Sequence, residues 1–257
     1  MQLFSLEGRV AIVTGAGSGL GKSASLAYAE AGADVVLLDI HPGSLNDVVD
    51  EISGKYNKKP LAVTCDVSNE ENVKDAIEIT MDLYGKIDIL LNNAGICEMG
   101  TIEDISLDSF ERVMAINVTG PFLMTKYALP HMRKAKYGRI VNVSSVNSAV
   151  AEPMADIARH SYNVSKAAVR GLTIATAATY GQDGITANAI APGLFETEMT
   201  GNFFDQKGMV TIFNMMTPMR RAGKMGELNG TIIYLSSEAS QFVTGQYICI
   251  DGGYTIV

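Results

Sequence analysis

Short aliphatic and β-branched runs recur at residues 9–13, 34–39, 61–65, 87–91, 139–143, 186–191 and 246–250. They are apolar nearly throughout, not alternating, as strands covered on both faces must be. The stretches between them place apolar residues three and four apart, over 19–31, 69–84, 107–134 and 161–180. That spacing lays one apolar stripe along a helix. Strand alternating with helix from end to end predicts an α/β fold, with seven parallel strands joined by right-handed crossovers. The sheet is then doubly wound, with helices on both faces. Asp66, Ser68 and Asn69 stand where the helix after the third strand needs an N-cap. No repeat, low-complexity tract or linker interrupts the pattern, so residues 1–257 read as one domain.

One stretch breaks the rhythm. Residues 194–224 are rich in Met, Phe, Thr and Gly and weakly periodic. They follow the sixth strand, where ligands of open α/β sheets bind, so they read either as a lid over a site or as extra packed helices.

Composition narrows the function. With 47% apolar and 19% charged residues the chain is globular. A net charge of −8 argues against nucleic-acid binding, which draws on Lys and Arg against phosphate. The three cysteines, Cys65, Cys97 and Cys249, form no CxxC pair and have no neighbouring His, so neither a disulfide framework nor a metal site is expected, and a reducing cytoplasm fits. No signal peptide opens the chain and no apolar run is long enough to span a membrane.

The glycines are informative by position. Thr14-Gly15-Ala16-Gly17-Ser18-Gly19-Leu20-Gly21 lies between the first strand and the first helix, in a TGxxxGxG pattern. Glycines there let backbone N–H groups approach a pyrophosphate, and the helix N-terminus favours its charge. Asp39 closes the second strand eighteen positions after Gly21, where a carboxylate accepts hydrogen bonds from both adenosine ribose hydroxyls. No Arg or Lys stands at Ser18, Ile40 or His41 to compensate a 2′-phosphate. The cofactor expected is NAD, in a Rossmann-type sheet. His41 reads as an exposed loop residue.

Tyr162-Asn163-Val164-Ser165-Lys166 opens a predicted helix, and positions i and i+4 share a face. A tyrosine becomes a base near neutrality only if its pKa falls about three units, roughly 4 kcal/mol of phenolate stabilisation. A nearby Lys and the positive ring of an oxidised nicotinamide would supply it. With Thr14–Gly21, Asn92-Asn93-Ala94-Gly95, Asn117, Ser145, Tyr162/Lys166 and Pro192-Gly193 in this order, the chain resembles the short-chain dehydrogenase/reductase family from Gly8 to Asp251-Gly252-Gly253.

The resemblance implies a role for each matching position. Tyr162 is the general acid/base, and Lys166 lowers its pKa and bonds the nicotinamide ribose. Ser145 orients substrate, and Ser144 is structural. Asn117 holds a water in a proton relay through Lys166. Gly15, Ser18, Gly19, Leu20, Gly21, Asp39 and Ile40 hold the pyrophosphate and ribose; Asp66 and Val67 contact adenine. Asn93, Ala94 and Gly95 line the cofactor, while Pro192, Gly193, Phe195 and Thr197 meet the nicotinamide. A homotetramer is also implied.

Ser145 and Tyr162 are seventeen positions apart, a longer interval than is common in the family. The additional residues fall in 146–161, one wall of the implied substrate pocket, and bring Glu152, Asp156, Arg159 and His160. A charged wall suggests a sugar, polyol or sugar acid, with Arg159 or His160 as an anion contact; a longer loop with its charges in water is the alternative. Cys97 and Glu98 lie near the implied pocket, with Cys97 reading as a small buried hydrophobe. The methionines of 199–225 suit an apolar lid or ordinary packing, and His131 has no evident partner.

The expectation is an NAD-dependent enzyme interconverting a secondary alcohol and a ketone. A hydroxysteroid or bile acid is a rival substrate, given the Met/Phe-rich segment. A 3-oxoacyl-thioester reductase is another rival, against which stand Asp39, since such enzymes commonly use NADPH, and an acidic surface facing an acidic carrier. A non-catalytic NAD sensor would have lost Ser, Tyr or Lys, and all three are present.

Overall fold

The computed structural model of the chain describes residues 2–197, 200–201 and 207–257. Strands β1 (Val10–Thr14), β2 (Asp34–Asp39), β3 (Leu61–Thr64), β4 (Ile89–Asn92), β5 (Gly138–Val143), β6 (Ile185–Pro192) and β7 (Tyr247–Ile250) form one sheet, parallel throughout. Their order is β3-β2-β1-β4-β5-β6-β7. It reverses direction between β1 and β4, which opens a crevice beyond the carboxyl ends of those strands.

The apolar runs are explained by two cores. Ala11 and Val13 of β1 join Val35 and Leu37 against helices α1 (Gly19–Glu30) and α2 (Pro42–Tyr56). Val10 and Ile12 join Val36 and Leu38 on the opposite face, against α3 (Glu70–Tyr84). Alternate side chains thus enter different cores, and neither face can be polar. Asn69 caps α3, its Oδ1 accepting from Glu71 N (3.0 Å) and Asn72 N (3.2 Å). Gly85 ends it in the left-handed conformation at φ 69°. Asp66 and Ser68, the other two candidate caps, instead close a turn on each other, Asp66 accepting from the Ser68 N–H and hydroxyl at 2.9 and 2.6 Å.

The helix expected over 107–134 is interrupted. It comprises α4 (Leu107–Met114), a π-helical turn (Ala115–Thr119) and α5 (Gly120–Ala135). The turn places fully buried Asn117 against the segment after β4: Oδ1 accepts from Ile96 N and Nδ2 donates to Ile96 O, both at 2.8 Å. Just beyond it, a Cβ on Gly120 would sit 2.8 Å from Val67 Cγ2. Such π turns mark functional positions in many helices. Helix α6 (His160–Tyr180) follows β5, and α7 (Lys207–Met216) and α8 (Asn229–Ser236) lie between β6 and β7. Helix α7 falls in the stretch 194–224; Met199 and the rest of 198–199 and 202–206 lie outside the described residues.

Candidate active site

Beyond β1, β2 and β4 lies a cleft of about 580 Å³. Its floor is the glycine turn, which folds too tightly for side chains. Gly15 is left-handed at φ 63°, a Cβ on Gly17 would meet Ser44 Cβ at 2.8 Å, and one on Gly21 would meet Gly15 O at 2.0 Å. Ser18 precedes α1 in an extended conformation, but its side chain makes no capping bond, and the first turn of α1 has no acidic residue. The positive helix end therefore faces the cleft without compensation. Thr14 joins the two halves of the floor, its Oγ1 accepting from Asn93 N (2.9 Å) and Ala94 N (3.0 Å).

The Asp39 carboxylate is fixed in the cleft wall. Oδ2 accepts from Gly17 N and Oδ1 from His41 N, each at 3.0 Å. His41 is exposed and outside the helix, as expected of a loop residue; it is the N-cap residue preceding α2, and it also lines the cleft. Glycine turn, uncapped helix end and fixed carboxylate fit a dinucleotide: backbone donors for the pyrophosphate, an acceptor for the ribose.

The cleft brings together most of the expected cofactor residues. Gly15, Ser18, Gly19, Leu20, Asp39, Ile40, Asp66, Val67, Asn93, Ala94, Gly95, Tyr162, Lys166, Pro192, Gly193, Phe195 and Thr197 all line it. Gly21 and Asn117 do not; both are buried behind the lining. Arg112 and Thr200 line it unforeseen. Arg112 precedes Ile116, another lining residue, by one helical turn, a spacing that would have exposed it.

Ser145, Tyr162 and Lys166 meet at the inner end. Lys166 is 4% exposed; its Nζ donates to Val143 O at 2.9 Å and lies 5.5 Å from the Tyr162 ring centre. Burial lowers the Lys166 pKa from 10.5 to about 8. Burial pushes the Tyr162 phenol well up, with the nearby Cys97 adding to the effect and a hydrogen bond with Ser145 opposing it. In the chain alone desolvation dominates at the phenol and the Lys166 ammonium is engaged by a carbonyl; the positive nicotinamide ring, the other half of the expected phenolate stabilisation, comes only with the cofactor. Ser144 Oγ donates to Lys166 O at 2.9 Å, a structural contact. Cys97 stays a thiol, its pKa raised by burial.

A second cavity, of about 450 Å³, adjoins the first and shares Ser145, Tyr162, Gly193 and Thr200 with it. Cys97, Glu152, Asp156 and Arg159 line it. Glu152 and Arg159 form an ion pair at 3.8 Å, their side chains only 16% and 17% exposed. Arg159 Nε is buried without a hydrogen-bond partner among the described residues. His160 lines neither cavity: it is exposed, its Nδ1 3.3 Å from Gly100 O at the start of α6. The opposite wall comes from Ile212, Phe213 and Met216 of α7 and from Tyr254. Tyr254 stacks on Phe213 with ring centres 5.0 Å apart. It follows a turn in which Asp251 accepts from Gly253 N (2.9 Å) and Thr255 N (2.8 Å).

The family model described as enoyl-(acyl carrier protein) reductase matches residues 15–255. The chain is 37% identical to the 3-oxoacyl-[acyl-carrier-protein] reductase FabG of Thermotoga maritima, covering 98% of this chain and 99% of that one. A short-chain type dehydrogenase/reductase from Mycobacterium marinum superposes with a TM-score of 0.95 at 36% identity, covering 100% and 99% of the two chains. A gluconate 5-dehydrogenase from Burkholderia cenocepacia, crystallised with NADP and tartrate, superposes at 0.94 with 34% identity, covering 100% and 98%. The chain belongs to the short-chain dehydrogenase/reductase family. It is an oxidoreductase for alcohol- or ketone-type substrates, with a nicotinamide cofactor as the family uses. Among the described residues no helix is long and apolar enough to cross a membrane.

Proposed function

We propose that the protein interconverts a secondary alcohol and a ketone with NAD(H), and that its substrate is a small polyhydroxylated acid such as a sugar acid. The observation that carries the substrate class is Arg159, a largely desolvated cation that lines the cavity holding Ser145 and Tyr162, paired with Glu152 only at 3.8 Å. A guanidinium lining the cavity offers its other N–H donors to a carboxylate or hydroxyl, which an apolar substrate cannot accept. This favours an acid over a hydroxysteroid, and the tartrate in the gluconate 5-dehydrogenase structure is of the same chemical kind.

The NAD preference rests on Asp39, whose carboxylate would oppose a 2′-phosphate. The NADP in the same gluconate 5-dehydrogenase makes this preference the first point to measure. Bound, the nicotinamide supplies the hydride acceptor or donor. Tyr162 takes the substrate hydroxyl proton in oxidation and returns it in reduction, Ser145 holds the substrate oxygen, and Lys166 supports the ionised phenol. Asn117 fixes the Ile96 segment along the cofactor. A homotetramer is part of the proposal: Leu107, Phe122, Val164 and Ile174 expose apolar side chains on α4, α5 and α6. Light scattering should return four times the chain mass. Three free cysteines accord with a reducing cytoplasm.

The acyl-thioester reading has the FabG relative in its favour, and a substrate screen separates the two. Purified protein is offered NAD⁺ or NADP⁺ with sugar acids, polyols, hydroxysteroids or hydroxyacyl thioesters, and formation of reduced cofactor is followed. Fastest turnover is expected with NAD⁺ and a polyhydroxy acid. Faster turnover of a thioester with NADP⁺ would replace this reading.

A further inference from the structure

We infer that Asn147 is a positioning residue that accepts the hydrogen bond donated by the Ser145 hydroxyl and so withholds that donor from Tyr162. The inference rests on the roles proposed for Ser145 and Tyr162 above. Asn147 is 6% exposed and sits in the single helical turn Val146–Ser148 that follows Ser145. Its Nδ2 donates to both carboxylate oxygens of Glu152, at 3.0 and 2.9 Å. An ionised carboxylate only accepts, so the amide must turn its NH₂ toward Glu152. Its Oδ1 then faces the other way, onto Ser145 Oγ at 3.3 Å.

The bonding of Ser145 follows from counting. A hydroxyl has one proton and two lone pairs. The proton is matched by Asn147 Oδ1, and one lone pair accepts from Asn147 N at 3.1 Å. The remaining lone pair is open toward the boundary that Ser145 shares with Tyr162. A neutral phenol satisfies it by donating. A phenolate cannot donate; it needs the Ser145 proton, which must first leave Asn147 Oδ1. Glu152, acting through one amide, therefore opposes ionisation of Tyr162.

The other groups facing the phenol come from three directions. Lys166 approaches from α6 itself, Cys97 from the segment after β4, and Glu152 and Arg159 from the wall 146–161. Asn147 differs from these in acting on the direction of a hydrogen bond and not through charge. Its effect is to favour the protonated tyrosine.

The test is a near-ultraviolet titration of phenolate in the NAD⁺-loaded protein, with the same titration of Tyr162→Phe subtracted. Subtraction isolates one tyrosine among ten. In Asn147→Ala, Ser145 is free to donate to the phenolate, and the midpoint is expected to fall by about one pH unit, tenfold more phenolate at fixed pH. Glu152→Gln, which keeps the volume but lets the amide turn, should move it the same way by less. The acid limb of the kcat–pH profile for alcohol oxidation should shift in parallel. An unmoved or higher midpoint in Asn147→Ala would overturn the inference, even with a lowered Tm, since that pattern marks a purely structural residue. Full turnover by Tyr162→Phe would instead overturn the assignment of Tyr162.

Discussion

The two cavities touch the same serine and tyrosine but are made of different material. The cofactor cleft is formed by strand ends, a glycine turn and a helix terminus, and its floor is main chain. The cavity beside it is assembled from side chains of three separate segments: the wall 146–161, α7 and the turn at Tyr254. A ligand common to a whole family is met by main chain, whose donors survive sequence change as long as the turn survives. A ligand particular to one member is met by side chains, which can be exchanged one at a time. The difference predicts which substitutions damage both activities and which damage one.

The largest effect is expected at the boundary. Tyr162→Phe should lower kcat by about 10³-fold, within the usual range for a general acid/base, while NADH binding by fluorescence titration is unchanged. Next is a break in the cleft alone. Gly21→Ala puts a Cβ 2.0 Å from a backbone oxygen, so α1 must shift from the Gly15 turn. NADH affinity should fall between about ten- and a hundredfold, with a lower Tm. Asp39→Ser should cut the NAD⁺/NADP⁺ ratio of kcat/KM by about tenfold or more, leaving the substrate preference as it was.

On the other side of the boundary, Arg159→Met should raise KM for an acidic substrate by about tenfold with NADH affinity unchanged. If NADH binding fell equally, the two cavities would not be separable. The smallest effect is on stability against pH. Lys166 titrates at about 8 when folded against 10.5 ordinarily, so between those values the unfolded chain holds a proton that the folded one has released. Stability from this group therefore rises with pH across that window. The difference in melting temperature between wild type and Lys166→Met should drift in favour of wild type from about pH 8 upward.

The same division governs what could be read from the sequence. The inner strands were legible because they are buried on both faces, and only continuous apolar runs satisfy that position; β3 and β7, at the edges, are half-buried but keep enough of the run to be seen. Asp39 and the glycine turn were legible because main-chain geometry leaves a fixed spacing in the chain. The break at Ala115–Thr119 was not, since it depends on Asn117 bonding Ile96, twenty-one positions away. Tyr254 in the cavity wall was missed for a similar reason: its place is set by contact with Phe213, forty-one positions earlier. His160 was expected near substrate from its position beside Arg159, but neighbours at a helix start point in different directions, and it turned to Gly100. The raised pKa of Tyr162 was beyond sequence as well, because the lysine one turn away was evident while the desolvation that outweighs it was not.

The narrowness of the boundary between the cavities bears on how such enzymes diversify and how they could be inhibited. Among the described residues only Ser145, Tyr162, Gly193 and Thr200 serve both compartments. A lineage can therefore drift through many substrate preferences while its redox half stays frozen. A molecule that reached across those four residues, tethering a nucleotide-like head to an acidic tail, would gain affinity from the shared scaffold and selectivity from the variable one.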